Sequence, residues 1–307
     1  MKSLKNTCKV AVVQQSPILF DAKKSVEKAL YAIRECAENG AELVVFPELF
    51  IPGYPYGMTF GFTVGSRNPQ GRLDWKAYYE QSLLFEGEEV RALIQEAVEN
   101  HVYLSIGYSE RDGKTATLYN SNLMVAPDGT VCNHRKLKPT GSERVVWGDA
   151  DRDFFPVLDT PWGPMGSMIC WESYMPLARV ALYQKGITIY LAPNTNDNPE
   201  WQDTIRHIAI EGHCFFVNAN LFFKKSDYPT TASGAEEIAR LPEIVCRGGS
   251  CVIDPYGHPV SEIVWDKEAI IYAELSMQDV PASRMEHDVC GHYARPDVLQ
   301  LTARETL

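Results

Sequence analysis

Apolar residues in this chain fall into short runs separated by stretches of helical spacing. The first run, Lys-Val-Ala-Val-Val-Gln at 9–14, reads as a strand. Asp21 stands where a helix cap belongs. Beyond it, over 22–39, Val26, Ala29, Leu30, Ile33 and Ala37 recur on one helical face, and Gly40 closes the helix. A second apolar strand follows at 42–46. Strand, helix, strand is the unit of a parallel or mixed sheet. The pattern then lapses over 50–72, an aromatic, glycine-rich stretch with no period, and unstructured loops of that length tend to carry function. It resumes with helices at 75–84 and 88–100 and strands at 103–110 and 118–125. The turn Pro127-Asp128-Gly129-Thr130 leads to a strand at 131–135.

The second half repeats the theme. A strand near 156–158 and a turn at 161–164 precede a strand that stops at Cys170 and turns sharply into a helix over 176–184, with Pro176 in its first turn. A strand at 187–191, a polar loop at 194–200, a helix at 201–213 and a strand at 215–220 follow. Residues 224–247 are polar and read as a flexible insertion. Strands at 250–254 and 259–264 flank Pro255-Tyr256-Gly257-His258, with 270–274 extending that sheet. No linker divides the chain. The expectation is one domain over 1–307, an α/β fold in which two halves pack as a four-layer αββα sandwich.

Bulk properties narrow the partners. The sequence carries 29 Lys and Arg against 40 Asp and Glu, a net charge of −11, which disfavours general affinity for nucleic acid or an anionic membrane. Residues 1–6 are polar and no run is long enough to span a bilayer, so the expected location is the cytosol. Eight cysteines are scattered without Cys-x-x-Cys spacing, which points away from a zinc site and towards reduced thiols.

Three polar residues sit where apolar strands stop: Glu48, Lys136 and Cys170. In α/β folds functional groups gather beyond strand ends. A free thiol has a pKa of about 8.5 and is mostly protonated at neutral pH. A carboxylate within reach can take its proton during attack, and an ammonium can stabilise negative charge developing on the adduct. Each residue alone has a plain alternative: a core thiol, a helix cap, a solvated lysine. Spacing does not choose between Lys136 and Lys138.

The motifs Val-Phe-Pro-Glu48, His-Arg-Lys136-Leu-Lys-Pro-Thr-Gly-Ser-Glu143-Arg and Ile-Cys170-Trp-Glu-Ser-Tyr-Met-Pro, in that order, resemble the carbon–nitrogen hydrolase superfamily. Trp147-Gly148 and Gly291-His-Tyr-Ala-Arg-Pro-Asp297 resemble the true nitrilase branch, and Ala-Pro-Asn-Thr at 192–195 and His207-Ile-Ala-Ile-Glu-Gly-His-Cys are similar to the plant-type nitrilases and their microbial relatives. The resemblance covers about 10–301. It implies the αββα fold, a catalytic Glu48-Lys136-Cys170 triad with Lys136 rather than Lys138, and a second glutamate, Glu143, beside the lysine. The implied reaction converts an organic nitrile and two waters to a carboxylic acid and ammonia, through a thioimidate and then an acyl group on Cys170. The resemblance also implies some amide release and no need for a metal or organic cofactor. It further implies homodimers formed through the face near the nucleophile, pairing to αββααββα, and higher homo-oligomers that stack into spirals. An amidase or carbamoylase of the same superfamily, or a non-catalytic assembly protein on this fold, are the alternatives.

The chain departs from the usual pattern after Trp147-Gly148, where Asp149-Ala150-Asp151-Arg152-Asp153 replaces a Gly-Asp-Gly-Ser-like turn. Tyr54, Trp147 and Trp171 lie near the three motifs and are candidates for a substrate pocket, with Thr140 and Pro193 added by the strand-end logic. Tyr56, Phe60 and Phe62 belong either to that pocket or to a packed loop. His207 and His213 are six apart, off the helical metal spacing. His292, Arg295 and Asp297 read as a packing or interface network.

Overall fold

The structure is a computed structural model that describes residues 5–229 and 234–306. Its first half contains β1 (Thr7–Gln14), α1 (Ala22–Glu38), β2 (Leu43–Val45), a hairpin of β3 (Phe62–Thr63) and β4 (Ser66–Arg67), α2 (Pro69–Glu80), β5 (Leu83–Leu84), α3 (Glu88–Glu99), β6 (Tyr103–Arg111), β7 (Leu118–Val125) and β8 (Val131–Arg135). The second half contains β9 (Val157–Thr160), β10 (Gly163–Ser167), α4 (Pro176–Gln184), β11 (Ile189–Asn194), α5 (Glu200–Gly212), β12 (Phe215–Asn220), β13 (Phe222–Lys224), α6 (Ala235–Ala239), β14 (Ile244–Ile253), β15 (Val264–Trp265), β16 (Ala269–Ser276) and α7 (Asp279–Arg284).

Strands apolar at every position must be covered on both faces. One sheet runs β16-β1-β2-β6-β7-β8 and the other β13-β14-β12-β11-β10-β9. Val10, Val12, Leu43 and Val45 point from the first sheet to meet Ile189, Leu191, Phe215 and Val217 of the second. The alternate residues Ala11, Val13 and Val44 face the layer of α1 and α3. Tyr190 and Phe216, stacked at 4.7 Å, face the layer of α4 and α5. The period of two along each strand thus builds helix, sheet, sheet, helix: the four-layer αββα sandwich.

Most elements lie where the apolar pattern puts them, and Asp21 caps α1 by accepting from the Lys24 N–H. Several boundaries move for identifiable reasons. The helix expected at 75–84 is α2, starting at Pro69, because the Asn68 side chain caps the Gly71 N–H and Pro69 fits the first turn. Leu83 and Leu84 leave it to pair with β6. The strand expected at 187–191 runs Ile189–Asn194. The supposed insertion at 224–247 holds α6 and the start of β14, whose Val245 and Cys246 are buried; residues 230–233 of that stretch, and 1–4 of the polar N-terminus, lie outside the described residues. Pro259 forms only an isolated bridge to Ile253, so 259–264 is not a strand apart from the beginning of β15. The strand expected at 270–274 does not extend that sheet. As β16 it pairs antiparallel with β1, from Thr7↔Ser276 to Gln14↔Ala269, and so becomes the edge of the first sheet. No helix among the described residues is long and apolar enough to cross a membrane.

Candidate active site

The ladder of β10 stops at Ser167, three residues before the expected end. Met168 is still tethered, its N–H donating to Leu191 O at 3.0 Å. Cys170 then adopts φ +53°, a left-handed conformation that a side chain makes costly and that ends a strand. It opens a 3₁₀ turn, Cys170–Tyr174, which feeds α4 through Pro176. The thiol is therefore held on a sharp strand-to-helix connection and is 5% exposed.

Glu48 lies beyond β2, where the chain stays bonded to β6: Phe46 N–H donates to Ser105 O and Gly107 N–H to Pro47 O. A Cβ on Gly107 would fall 2.3 Å from Pro47 O and 2.8 Å from the Glu48 Cα, so only glycine lets β6 approach so closely. Lys136 is the first residue past β8, pinned by its N–H to Asn120 O at 2.7 Å. Its Nζ lies 2.8 Å from Glu48 Oε1 and 2.8 Å from Glu143 Oε2, with the lysine and Glu48 side chains 0% exposed. Asn120 Nδ2 also donates to Glu48 Oε1 at 2.7 Å, and Thr195 Oγ1 to Oε2 at 2.5 Å. Glu143 accepts from the Tyr54 hydroxyl at 2.8 Å and from the Thr140 N–H at 2.7 Å.

These contacts set the charges. Burial pushes the Glu48 carboxyl up; the Lys136 ammonium opposes this and the Glu143 charge adds to it. For Lys136, burial works against the ammonium, but Glu48 and Glu143 outweigh it and hold the proton well above the usual lysine range. Burial pushes the Cys170 thiol far above its ordinary value; the Glu48 charge reinforces this, while Lys136 and the Thr195 backbone favour the thiolate. The arrangement favours the protonated thiol, raises the basicity of the carboxylate and favours the charged ammonium. That set can move a proton off sulfur and stabilise an anion.

The carbon–nitrogen hydrolase family profile matches residues 9–285. An aliphatic nitrilase of Sinorhizobium fredii is 43% identical over 97% of this chain and 96% of its own length. A bifunctional nitrilase/nitrile hydratase of Nicotiana tabacum is 42% identical over 97% of this chain and 86% of its own. The chain belongs to the carbon–nitrogen hydrolase family, on its nitrilase branch. The fold agrees with the crystal structure of Saccharomyces cerevisiae Nit3, a member of branch 10 of the nitrilase superfamily: TM-score 0.74 at 22% identity, over 96% of this chain and 99% of that one.

In this hydrolase the two candidate lysines part company. Lys138 is 52% exposed and pairs with Asp149 at 2.6 Å, away from the buried carboxylates. Asp151 meets Arg135 at 2.5 Å, and Arg135 also binds the buried Glu110. The unusual Asp149-Ala150-Asp151 run thus holds the basic residues on either side of Lys136. Glu143 pairs with Lys136 rather than with Arg135 or Arg144.

The pocket candidates separate similarly. Tyr54 reaches Glu143 directly. Trp147 stands behind it, 6.1 Å away ring to ring, with its Nε1–H donating to Ser109 Oγ. Its other side forms part of a cavity of about 480 Å³ lined by Phe60, Trp75, Arg67 and Arg144 among others, with none of Glu48, Lys136 or Cys170 in the wall. Thr140 contributes its backbone N–H. Pro193 is buried in β11, two residues before Thr195. Trp171 is 46% exposed and packs edge-on against Tyr174. Phe62 lies exposed on the small hairpin. Sequence reasoning missed Asn120 and Thr195, and gave no role to Glu172 or His134. Among the described residues no group of three or more His, Cys, Asp or Glu is placed to hold a metal ion.

Proposed function

We propose that this chain hydrolyses a small organic nitrile to the carboxylic acid and ammonia, with Cys170 as nucleophile, Glu48 as general base and acid, Lys136 as the charge-stabilising group and Glu143 as the residue that holds Lys136. The observation that carries this reading is the doubly bonded, fully buried Lys136 ammonium between Glu48 and Glu143, among the charges that act on Cys170. Glu48 takes the thiol proton as sulfur bonds to the nitrile carbon and passes it to the nitrile nitrogen, giving a thioimidate. Water adds, Glu48 returns a proton to nitrogen, and ammonia leaves as the C–N bond breaks. A second water, deprotonated by Glu48, displaces sulfur from the thioester and releases the acid. Breaking the C–S bond before the C–N bond would release the amide instead. Tyr54, with Trp147 behind it, suits an arylaliphatic or cyano-amino-acid substrate. Residues 1–307 act as one domain, and the thiols of the described residues, all free, suit the cytosol. The test is ammonia, acid and amide release across a nitrile and amide panel. Turnover of amides with none of nitriles favours the amidase or carbamoylase alternative, and no turnover at all favours an assembly role.

The raised Glu48 carboxyl makes a pH prediction. Only its ionised form accepts the thiol proton, and a raised value means that form is lost at a higher pH than for an ordinary carboxylate. The acid limb of kcat/KM therefore lies above the usual range near 4.5, with activity falling as pH drops through it. Glu48→Gln abolishes that limb and lowers kcat/KM by about 10²–10⁴-fold. A limb at or below the ordinary carboxylate value would count against Glu48 as the base.

Assembly belongs to the same reading. Trp171, Tyr174, Met175 and Leu177 are 46%, 43%, 39% and 68% exposed on the turn after Cys170 and the start of α4. An apolar patch of this kind marks a contact surface. We propose that a second copy covers it, giving a homodimer that higher assemblies, including spirals, build upon. Leu177→Asp then shifts the species seen by light scattering to the monomer; a parent that is already monomeric at micromolar concentration would refute the dimer.

A further inference from the structure

Glu172 is an acid at the heart of the sandwich, 1% exposed, two residues past Cys170. Leu137 N–H, immediately after Lys136, donates to its Oε1 at 2.5 Å. Ile169 N–H, immediately before Cys170, donates to its Oε2 at 2.6 Å. His134 Nε2, on the strand leading to Lys136, lies 2.9 Å from the same Oε2, in a ring that is 0% exposed. The contact is a hydrogen bond between ring and carboxylate, and His134 Nδ1 has no partner among the described residues. One carboxylate therefore joins the backbone just past the lysine to the backbone just before the cysteine. The lysine strand belongs to the first sheet and the cysteine strand to the second, and among the described residues no strand ladder links the two. Outside the Lys136, Glu48 and Glu143 cluster itself, this is a direct side-chain tie between the two segments, and buried charge-assisted bonds of this kind are short and stiff.

We propose that Glu172 is a positioning residue that sets the separation of the Lys136 ammonium and the Cys170 sulfur, and through it the partition of the bound intermediate between acid and amide. The inference rests on the hydrolytic reading above. When water has added to the thioimidate, carbon carries oxygen, nitrogen and sulfur. Acid forms when nitrogen is protonated and leaves; amide forms when sulfur leaves first and regains its proton. The proton must come from Glu48, whose oxygen is bonded to Lys136, so a shift of the lysine segment against the cysteine turn misaligns delivery to nitrogen and favours loss of sulfur.

Glu172→Gln keeps the shape but turns an N–H group towards one of the three partners. Misplacement on the scale of an ångström lowers rates by about 10²-fold. The expected result is a kcat lowered about 10²-fold, a KM changed by less than about threefold and a raised amide-to-acid ratio, normalised to folded enzyme. His134→Gln removes the ring but leaves both backbone bonds, so it shifts the same quantities in the same direction by less, and it decides the matter if the first variant does not fold. Rates and product ratio are taken on a nitrile that the parent turns over; a parent that turns over amides only refutes the nitrile reading separately, and kcat on the amide alone then tests the positioning role. A loss of thermal stability with kcat and product ratio unchanged in both variants makes Glu172 purely structural and overturns the proposal.

Discussion

Cys170→Ala will release no measurable ammonia or acid from any nitrile that the parent hydrolyses, while keeping its fold. The other thiols offer no substitute. Cys8, Cys36, Cys214, Cys246 and Cys251 are buried in the packed layers, and burial pushes each thiol up to about 12 or beyond. Cys132 is held near Asp159, and Cys290 near Asp288. None combines a left-handed turn with a carboxylate and an ammonium, as Cys170 does. Removing one sulfur from a small buried volume costs about 1 kcal/mol, well inside the stability of a domain this size. Circular dichroism and the melting temperature should therefore stay close to the parent. Mass spectrometry adds a second readout: nitrile incubated with the parent and quenched in acid leaves an adduct on the Cys170 peptide, and the variant carries none. Turnover retained in the variant would remove the thioimidate from the mechanism.

What could be read from the chain alone depended on how local the signal was. Runs buried on both faces, such as 9–14 and 215–220, announced themselves because every position is apolar. Asn68-Pro69 is an equally local helix start, masked by the aromatic stretch around it, which has no period. Strand ends also pointed to Glu48 and Lys136, since a charged residue after an apolar run has few reasons to be there. The choice between Lys136 and Lys138 was not local. It turns on the chain leaving the sheet at Arg135, so that Lys138 reaches Asp149 rather than the buried carboxylates. Asn120 and Thr195 were invisible for the same reason. Their bonds to Glu48 span 72 and 147 positions, and an asparagine in a strand or a threonine after one carries no mark of its partner. The pairing of β16 with β1 spans more than 250 positions, and nothing in residues 270–274 distinguishes that edge from the other sheet. Glu172 stood in plain view beside Cys170. Its burial marks it, and burial of a side chain in a turn is decided by the packing of both sheets.

Lys136→Met tests the electrostatic centre rather than the nucleophile, and its effect should appear in stability as well as rate. The parent places one ammonium between two carboxylates with no water-exposed side. Methionine fills much of the same volume but leaves Glu48 and Glu143 facing each other without a cation. Removing one partner from a buried ion pair costs about 3–5 kcal/mol, because the remaining charge keeps its desolvation penalty and loses its compensation. Part of that cost is relieved if one carboxyl takes up a proton, since like charges at close range favour a shared proton. Glu48 is already raised by burial, with Lys136 opposing the rise, so removing Lys136 raises it further. In the variant the folded state holds this proton more tightly than the unfolded chain does, so its stability deficit is smallest at low pH and grows as pH climbs through the raised value. The base is also protonated where the parent is active, so turnover falls for two reasons: the anion on the intermediate has lost its ammonium, and Glu48 has lost its capacity to accept a proton. Denaturant melts at several pH values, paired with ammonia release, measure both. A variant as stable as the parent at neutral pH, or one that gains stability as pH rises, would show that Lys136 does not compensate the two carboxylates.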